Sequence, residues 1–340
     1  MKDMIDLSIV IPVYNVEKYI QRCIDSVIQQ ENKDVKIECI IIDDLGPDKS
    51  MEIVREILKR YQGKIDFYIL THNENRGVAA GRNTGIRNAK GNYIMFIDSD
   101  DYLMPGSVKT LMNNTRQHQK ADIVIGNFLS VRGNKPAYNI SDVITYNTQN
   151  VIREQFLSVE LDCFPWNRLI RRQFLIENQL FFQEGTIFED VIWAYHVFDK
   201  AQAVVKIPDM TYVYENNPTS VMNSTREKST ATVRSFVSFC NEMLDYPYDN
   251  MFVIHKLYVF NILMKAIDVN MQAEVETNVK GSLYKIRKRL FCETLYSGRF
   301  LLSFYFLTAF PPFCSILRWS WYRRHFDKIG SVVGKLTLRK

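Results

Sequence analysis

Apolar residues fall in short unbroken runs through the first 125 positions, and each run is followed by a stretch with helical spacing. Residues 7–13, 35–42, 64–70 and 93–97 read as strands, the first two as continuous apolar runs of the kind buried on both faces of a parallel sheet. Segments 16–29, 48–61 and 78–89 predict helices, with Leu45-Gly46-Pro47 and Asn75-Arg76-Gly77 supplying turn chemistry ahead of the second and third. Strands alternating with helices predict an α/β chain with a doubly wound, mostly parallel sheet. Ligands of such sheets bind outside the carboxyl ends of the strands.

Past residue 121 the alternation loosens. A strand is expected over 122–128, a polar excursion over 131–146 and a helix over 151–158. Glu189 and Asp190 open a further helix, and from Arg226 onward the apolar positions are spaced for a helical bundle, through 252–271. The pattern divides the chain into 1–125, 126–222 and a helical C-terminal region, 223–340.

Three predicted strand ends carry polar groups to one sheet edge: Tyr14-Asn15, Asp43-Asp44, and the acids Asp98, Asp100 and Asp101. Carboxylates this close repel one another and call for a cation between them, Mg²⁺ or Mn²⁺ being the natural guest. The competing reading is a solvated acidic turn ahead of a helix starting near Pro105. Convergence of three such ends favours a nucleotide site, and neither a G-x-G-x-x-G nor a Walker pattern follows the first strand.

The series Ser8-Ile9-Val10-Ile11-Pro12-Val13-Tyr14-Asn15, Ile42-Asp43-Asp44, Asn75-Arg76-Gly77 with Gly81-Arg82-Asn83-Thr84-Gly85, and Asp98-Ser99-Asp100-Asp101 resembles glycosyltransferase family 2. The resemblance implies a GT-A fold, a nucleotide-diphosphate sugar donor and inversion at the anomeric carbon. It places Pro12, Tyr14 and Asp44 near the base, usually uracil, and Arg82 near the diphosphate. Asp98 and Asp100 become the metal element, Asp100 as direct ligand and Asp98 nearer the ribose and metal shell, while Asp101 has no clear role. The common DDGSxD run is altered here to Asp43-Asp44-Leu45-Gly46-Pro47-Asp48, without a serine.

Further on, Trp166-Asn167-Arg168-Leu169, Phe182-Gln183-Glu184-Gly185 and Glu189-Asp190 are similar to the acceptor half of the same family. An inverting transfer needs a base for the acceptor hydroxyl. The resemblance gives that role to Asp190, with Glu189 orienting the acceptor. Two acids in a first helical turn also suit the helix dipole whatever the function. A similar Tyr-x-Tyr element, Tyr212 and Tyr214 with Ser220, lies near the family's acceptor cleft; core packing explains those tyrosines equally well.

The 340 residues include six scattered cysteines with no CxxC pair, which predicts reduced thiols in a cytoplasm, and the N-terminal apolar run is too short for an export signal. The net charge of +5 is uneven, since residues 280–340 hold 13 Lys and Arg against Glu293 and Asp327. That basic tail contains the uncharged run 300–317, interrupted by Pro311-Pro312 and followed by Trp319, Trp321 and Tyr322. An in-plane helix pair on an anionic membrane surface accounts for both charge and apolarity; a hairpin packed on the protein is the alternative. Nucleic acid is not an expected partner, because the run lacks interleaved basic residues.

The expected activity is a metal-dependent inverting transfer from a UDP-sugar to a hydroxyl of an envelope or capsular glycan, lipid-linked or free, at the inner face of the cell membrane. Transfer onto a polyprenyl phosphate carrier is the alternative within enzymes. A non-catalytic nucleotide-sugar-binding subunit of a membrane assembly is the alternative outside them.

Overall fold

The structure, a computed structural model, describes residues 5–131, 135–215, 217, 226–246, 251–273, 277–300 and 302–303. Two compact units result, one comprising residues up to 156 with 162–185 and 189–220, the other residues 157–161, 186–188 and 221 onward.

The first unit begins with β1 (Leu7–Val13), α1 (Ile20–Ile28), β2 (Ile37–Asp43), α2 (Ser50–Arg60), β3 (Asp66–Thr71), α3 (Gly77–Asn88) and β4 (Tyr93–Phe96). It continues through β5 (Tyr102–Leu103), α4 (Ser107–Gln117), β6 (Ile123–Ser130), β7 (Lys135–Pro136), β8 (Ile144–Tyr146) and α5 (Gln149–Leu157). Last come β9 (Arg168–Arg171), α6 (Arg172–Glu177), α7 (Glu189–Lys200) and β10 (Val204–Tyr214). Among the described residues these strands form one sheet in the order β3-β2-β1-β4-β9-β6-β10-β5, with β7 beside β6 and β8 beside β10.

The parallel core is the one the apolar runs predict. β1 pairs in parallel with β2 and β4, and every residue of β2 is buried. Helix α3 lies close against β1 because two of its turns lack side chains. A Cβ on Gly85 would stand 2.2 Å from Val10 Cγ1, and one on Gly81 would stand 2.9 Å from Pro12 Cβ. The glycines of Gly81-Arg82-Asn83-Thr84-Gly85 therefore set how near Arg82 comes to the strand ends.

Two elements differ from the sequence pattern. Helix α1 runs from Ile20 rather than 16, and the turn ahead of it is tied down by the N–H groups of Val16 and Glu17, which donate to Ser50 Oγ at 2.9 Å and Asp48 Oδ2 at 2.8 Å. Strand β9, absent from the apolar reading, is inserted antiparallel between β4 and β6. Its ends are arginines, Arg168 buried and Arg171 partly exposed, and each meets a carboxylate. Arg168 donates to Asp162 Oδ1 at 2.5 Å and lies over the Phe198 ring, while Arg171 donates to Asp122 Oδ1 at 2.5 Å.

The second unit is built on α8 (Arg226–Asp245), α9 (Phe252–Ala273) and α10 (Thr277–Tyr296), which pack pairwise. Phe239, Met243, Phe260, Leu263, Ile286 and Leu290 are buried among them. Of the basic cluster at 285–289, Arg287 is buried and Arg289 pairs with Glu293 and Asp245, each at 2.7 Å, which leaves Lys285 and Lys288 exposed. No helix among the described residues is long and apolar enough to cross a membrane. Except for Phe300, Leu302 and Ser303, the run 300–317 lies outside the described residues, as do Trp319, Trp321, Tyr322 and Ser220.

Candidate active site

The acids of the opening strands stand at the carboxyl ends of β2 and β4, as the topology requires. After β4 the chain turns at once, with the Asp101 N–H donating to the Asp98 carbonyl at 2.9 Å. The turn separates the three acids. Asp101 faces inward and is buried, accepting the Tyr212 hydroxyl at 2.7 Å and the Glu215 N–H at 2.8 Å. Asp100 accepts from Asn217 Nδ2 at 3.0 Å, and Asp98 accepts from Arg82 Nη2 at 2.8 Å. Burial, then the neighbouring Asp98 charge, holds the Asp100 carboxyl above its usual range. The same causes, with Asp100 added, raise Asp101 much further.

Arg82 joins this turn to the start of α7. Its Nη1 donates to Glu189 Oε1 at 2.6 Å. Burial works against the guanidinium charge, but Asp98 and Glu189 outweigh it and push its pKa up. The neighbouring Asn83 holds the segment leading into α7, donating to the Phe182 carbonyl at 2.9 Å and to Glu184 Oε1 at 3.0 Å, and accepting the Phe182 N–H at 2.8 Å. One turn of α3 thus anchors Glu184 and Glu189 together.

Asp190, adjacent on α7, has no such partner on Arg82. Burial, followed by the Glu189 charge, pushes its carboxyl up to about 7 although Arg82 pulls the other way. The Cys163 thiol lies 3.7 Å from Asp190 Oδ2. A carboxyl that changes protonation near neutrality can take a proton from a hydroxyl at physiological pH.

At the other strand ends, Tyr14 is exposed after β1. Asp44 is buried and its carboxylate is taken up locally, accepting the N–H of Arg76 at 2.9 Å and of Gly77 at 2.8 Å and facing His72 Nδ1 at 2.6 Å. Leu45, in the altered stretch, adopts φ 55°, a left-handed conformation, and its N–H donates to Asp43 Oδ1 at 3.1 Å. Asp43 and Asp44 thus both order loops, which the sequence pattern did not foresee.

Sequence reasoning also missed how Tyr212 contributes. Besides binding Asp101, its hydroxyl accepts the Asp98 N–H at 3.2 Å. Its ring stacks on Trp166 at 4.7 Å, and Trp166 stacks in turn on Phe164 at 4.7 Å and on Tyr214 at 5.5 Å. The Trp166-Asn167-Arg168-Leu169 motif and the Tyr-x-Tyr motif are therefore one aromatic column, with one end on the acidic turn and the other beside Cys163. Among the described residues no set of three His, Cys, Asp or Glu side chains is arranged to hold a metal. Two carboxylates whose charges oppose each other still fit a hard divalent cation that completes its shell with water and phosphate oxygens.

A mostly parallel sheet with an acidic turn after its central strand β4 is the arrangement of the GT-A fold. The sequence model for glycosyl transferase family 2 matches residues 8–178, and the chain belongs to that family of transferase enzymes. The match includes Pro12, Tyr14, Asp44, Arg82, Asp98 and Asp100 and ends before Glu189 and Asp190. The chain is 32% identical over 221 residues to the uncharacterized glycosyltransferase EpsJ of Bacillus subtilis, covering 63% of this chain and 62% of that protein. It is 29% identical over 210 residues to the poly(ribitol-phosphate) beta-glucosyltransferase of Bacillus spizizenii, covering 61% of this chain but 32% of the relative. The fold is shared with S. aureus TarS 1–349 in complex with UDP-GlcNAc, at a TM-score of 0.66 and 18% identity over 84% of this chain and 81% of that one.

Proposed function

We propose that this chain transfers a sugar, with inversion, from a nucleoside diphosphate donor to a hydroxyl of an envelope or capsular glycan, either free or lipid-linked. The observation that carries the reading is the Arg82 bridge, which ties Asp98 of the acidic turn to Glu189 at the start of the helix that also holds Asp190, a buried carboxyl raised by burial and by the Glu189 charge. In this reading residues 1–125 supply the donor site, 126–222 the acceptor site, and 223–340 the region that meets the membrane. UDP-sugars are the first donors to test, since TarS, of the same fold, binds UDP-GlcNAc. The glucosyltransferase relative, named for a poly(ribitol-phosphate), supports a wall or capsular polymer as acceptor.

Each residue has a role in the proposed transfer. Asp190 accepts the proton of the attacking hydroxyl, which then displaces the diphosphate from the opposite face of the anomeric carbon. Glu189, fixed by Arg82, orients the acceptor, and Arg82 brings positive charge toward the diphosphate. Tyr14 and Asp44, with Pro12, border the base. Asp100, with Asp98 beside it, would hold Mn²⁺ or Mg²⁺, which when bound supplies charge neutralisation for the departing diphosphate. Tyr212 keeps the acidic turn in place. The basic C-terminal tail brings the enzyme to the cytoplasmic surface of the membrane, where a lipid-linked acceptor would be found.

Calorimetry with UDP, GDP and CDP, each with Mn²⁺ and with EDTA, on wild type and Asp100→Ala tests the donor site. Metal-dependent binding of one nucleotide that is lost in the variant supports the assignment; no binding of any of them overturns it. With the donor known, an Asp190→Asn enzyme as active as wild type would favour transfer onto a polyprenyl phosphate, an anionic acceptor that needs no base.

A further inference from the structure

The outer side of α10 carries exposed residues at one spacing. Gly281, Tyr284, Lys285, Lys288, Leu295 and Tyr296 are all exposed and, at 3.6 residues per turn, occupy about a third of the helix circumference. Leu283, Ile286, Arg287, Leu290 and Thr294, all buried, form the opposite side. The outer stripe contains no acidic residue and exposes large aromatic side chains, with Tyr284 62%, Tyr296 88% and Phe300, just beyond the helix, 68% exposed.

We infer that this stripe is a membrane-docking face, on which the chain rests against an anionic phospholipid bilayer. Tyr284, Leu295, Tyr296 and Phe300 enter the headgroup boundary, where amphipathic rings are favoured, and Lys285 and Lys288 meet the lipid phosphates. Charge selects this occupant. The stripe itself carries Lys285 and Lys288 and no acid, and the sequence that follows it is basic, so it is complementary to an anionic surface. A second copy docked face to face would offer Lys285 and Lys288 no acidic partner, because the stripe contains none, which disfavours self-association. The inference rests on the membrane reading above and adds a folded helix face to the tail as a second point of contact. Two signals together are what stable peripheral attachment requires.

The test uses the full chain in co-sedimentation with vesicles of phosphatidylcholine alone and of phosphatidylcholine with phosphatidylglycerol. Three variants are compared with wild type: Tyr284→Ser/Tyr296→Ser, Lys285→Glu/Lys288→Glu, and a tail variant, Arg318→Glu/Arg323→Glu/Arg324→Glu. Wild type should bind only vesicles containing phosphatidylglycerol, and each α10 variant should lose about tenfold or more of that partitioning, with unchanged circular dichroism and unchanged nucleotide binding. If wild type binds neither vesicle, the membrane reading fails as a whole and this inference with it. If wild type binds and only the tail variant loses affinity, the α10 face is excluded while the tail is retained. Concentration-dependent dimerisation of wild type that Tyr284→Ser/Tyr296→Ser abolishes would assign the stripe to a second copy and overturn the proposal.

Discussion

Arg82 and Glu189 are 107 positions apart in sequence and 2.6 Å apart in the fold, and the other terminal nitrogen of the same guanidinium reaches Asp98 at 2.8 Å. A single buried cation therefore spaces the acidic turn from the helix that carries Asp190. Removing it leaves Glu189 buried without its partner, so Arg82→Met should destabilise the protein by about 3–5 kcal/mol. Adding Glu189→Gln should restore part of the loss. Urea unfolding of the single and double variants measures both, and a single variant as stable as wild type would refute the spacing role.

Asp190→Asn should lower kcat by about 10²- to 10⁴-fold with little change in donor binding. The wild-type kcat/KM should rise with pH through about 7 and level off above it, because a base works deprotonated. The variant should lack that limb. A pH-rate profile that is identical in both proteins would remove Asp190 from the chemistry.

The same shift predicts a stability difference of known sign. A carboxyl raised in the folded state favours folding while it stays protonated, and that contribution is lost as pH climbs from the usual carboxylate range through about 7. Asn stays neutral throughout. Asp190→Asn should therefore gain most thermal stability relative to wild type at pH 8 and clearly less at pH 5, which thermal melts at the two pH values will read directly.

Tyr212→Phe keeps the ring on Trp166 and deletes the hydroxyl that binds Asp101 and the Asp98 N–H. The hydroxyl touches neither the Asp98 nor the Asp100 carboxylate but fixes the turn that carries them, and groups that position metal ligands from behind are worth about 10- to 100-fold in metal affinity. The variant should need that much more Mn²⁺ for half-maximal nucleotide binding, with an ordinary affinity once saturated. An unchanged Mn²⁺ dependence would reduce Tyr212 to core packing.

Metal removal offers a control on the acidic turn itself. Asp100 is held above its usual range by burial and by Asp98, so a cation there should relieve a repulsion already present. Mn²⁺ should raise the melting temperature of wild type by a few degrees and leave Asp100→Ala unmoved. Equal shifts in both would put the binding elsewhere.

How much of this was legible in the chain depended on range. β1, β2 and β4 could be read because unbroken apolar runs have few other uses, and the acids after β2 and β4 because strand ends meet at one edge. β9 could not, since two arginines in a four-residue strand look exposed until Asp162 and Asp122 are brought beside them. The role of Arg82 was half visible: its motif marked the neighbourhood of the acids, but a partner 107 residues away leaves no local trace. His72 beside Asp44 gave no signal at all, being a single histidine after an edge strand. Tyr212 was ambiguous because a buried tyrosine serves packing and hydrogen bonding with the same side chain.

The position of β9 also bears on how the chain is made. β4, central in the finished sheet, has β1 on one side from early in synthesis, but its other neighbour is completed only at Arg171. Until the ribosome has delivered some 75 further residues (from Phe96 to Arg171), the nucleotide half carries an open, apolar strand edge, the kind that recruits other chains. A fragment ending near residue 125 should aggregate, whereas one extended past α6 closes that edge.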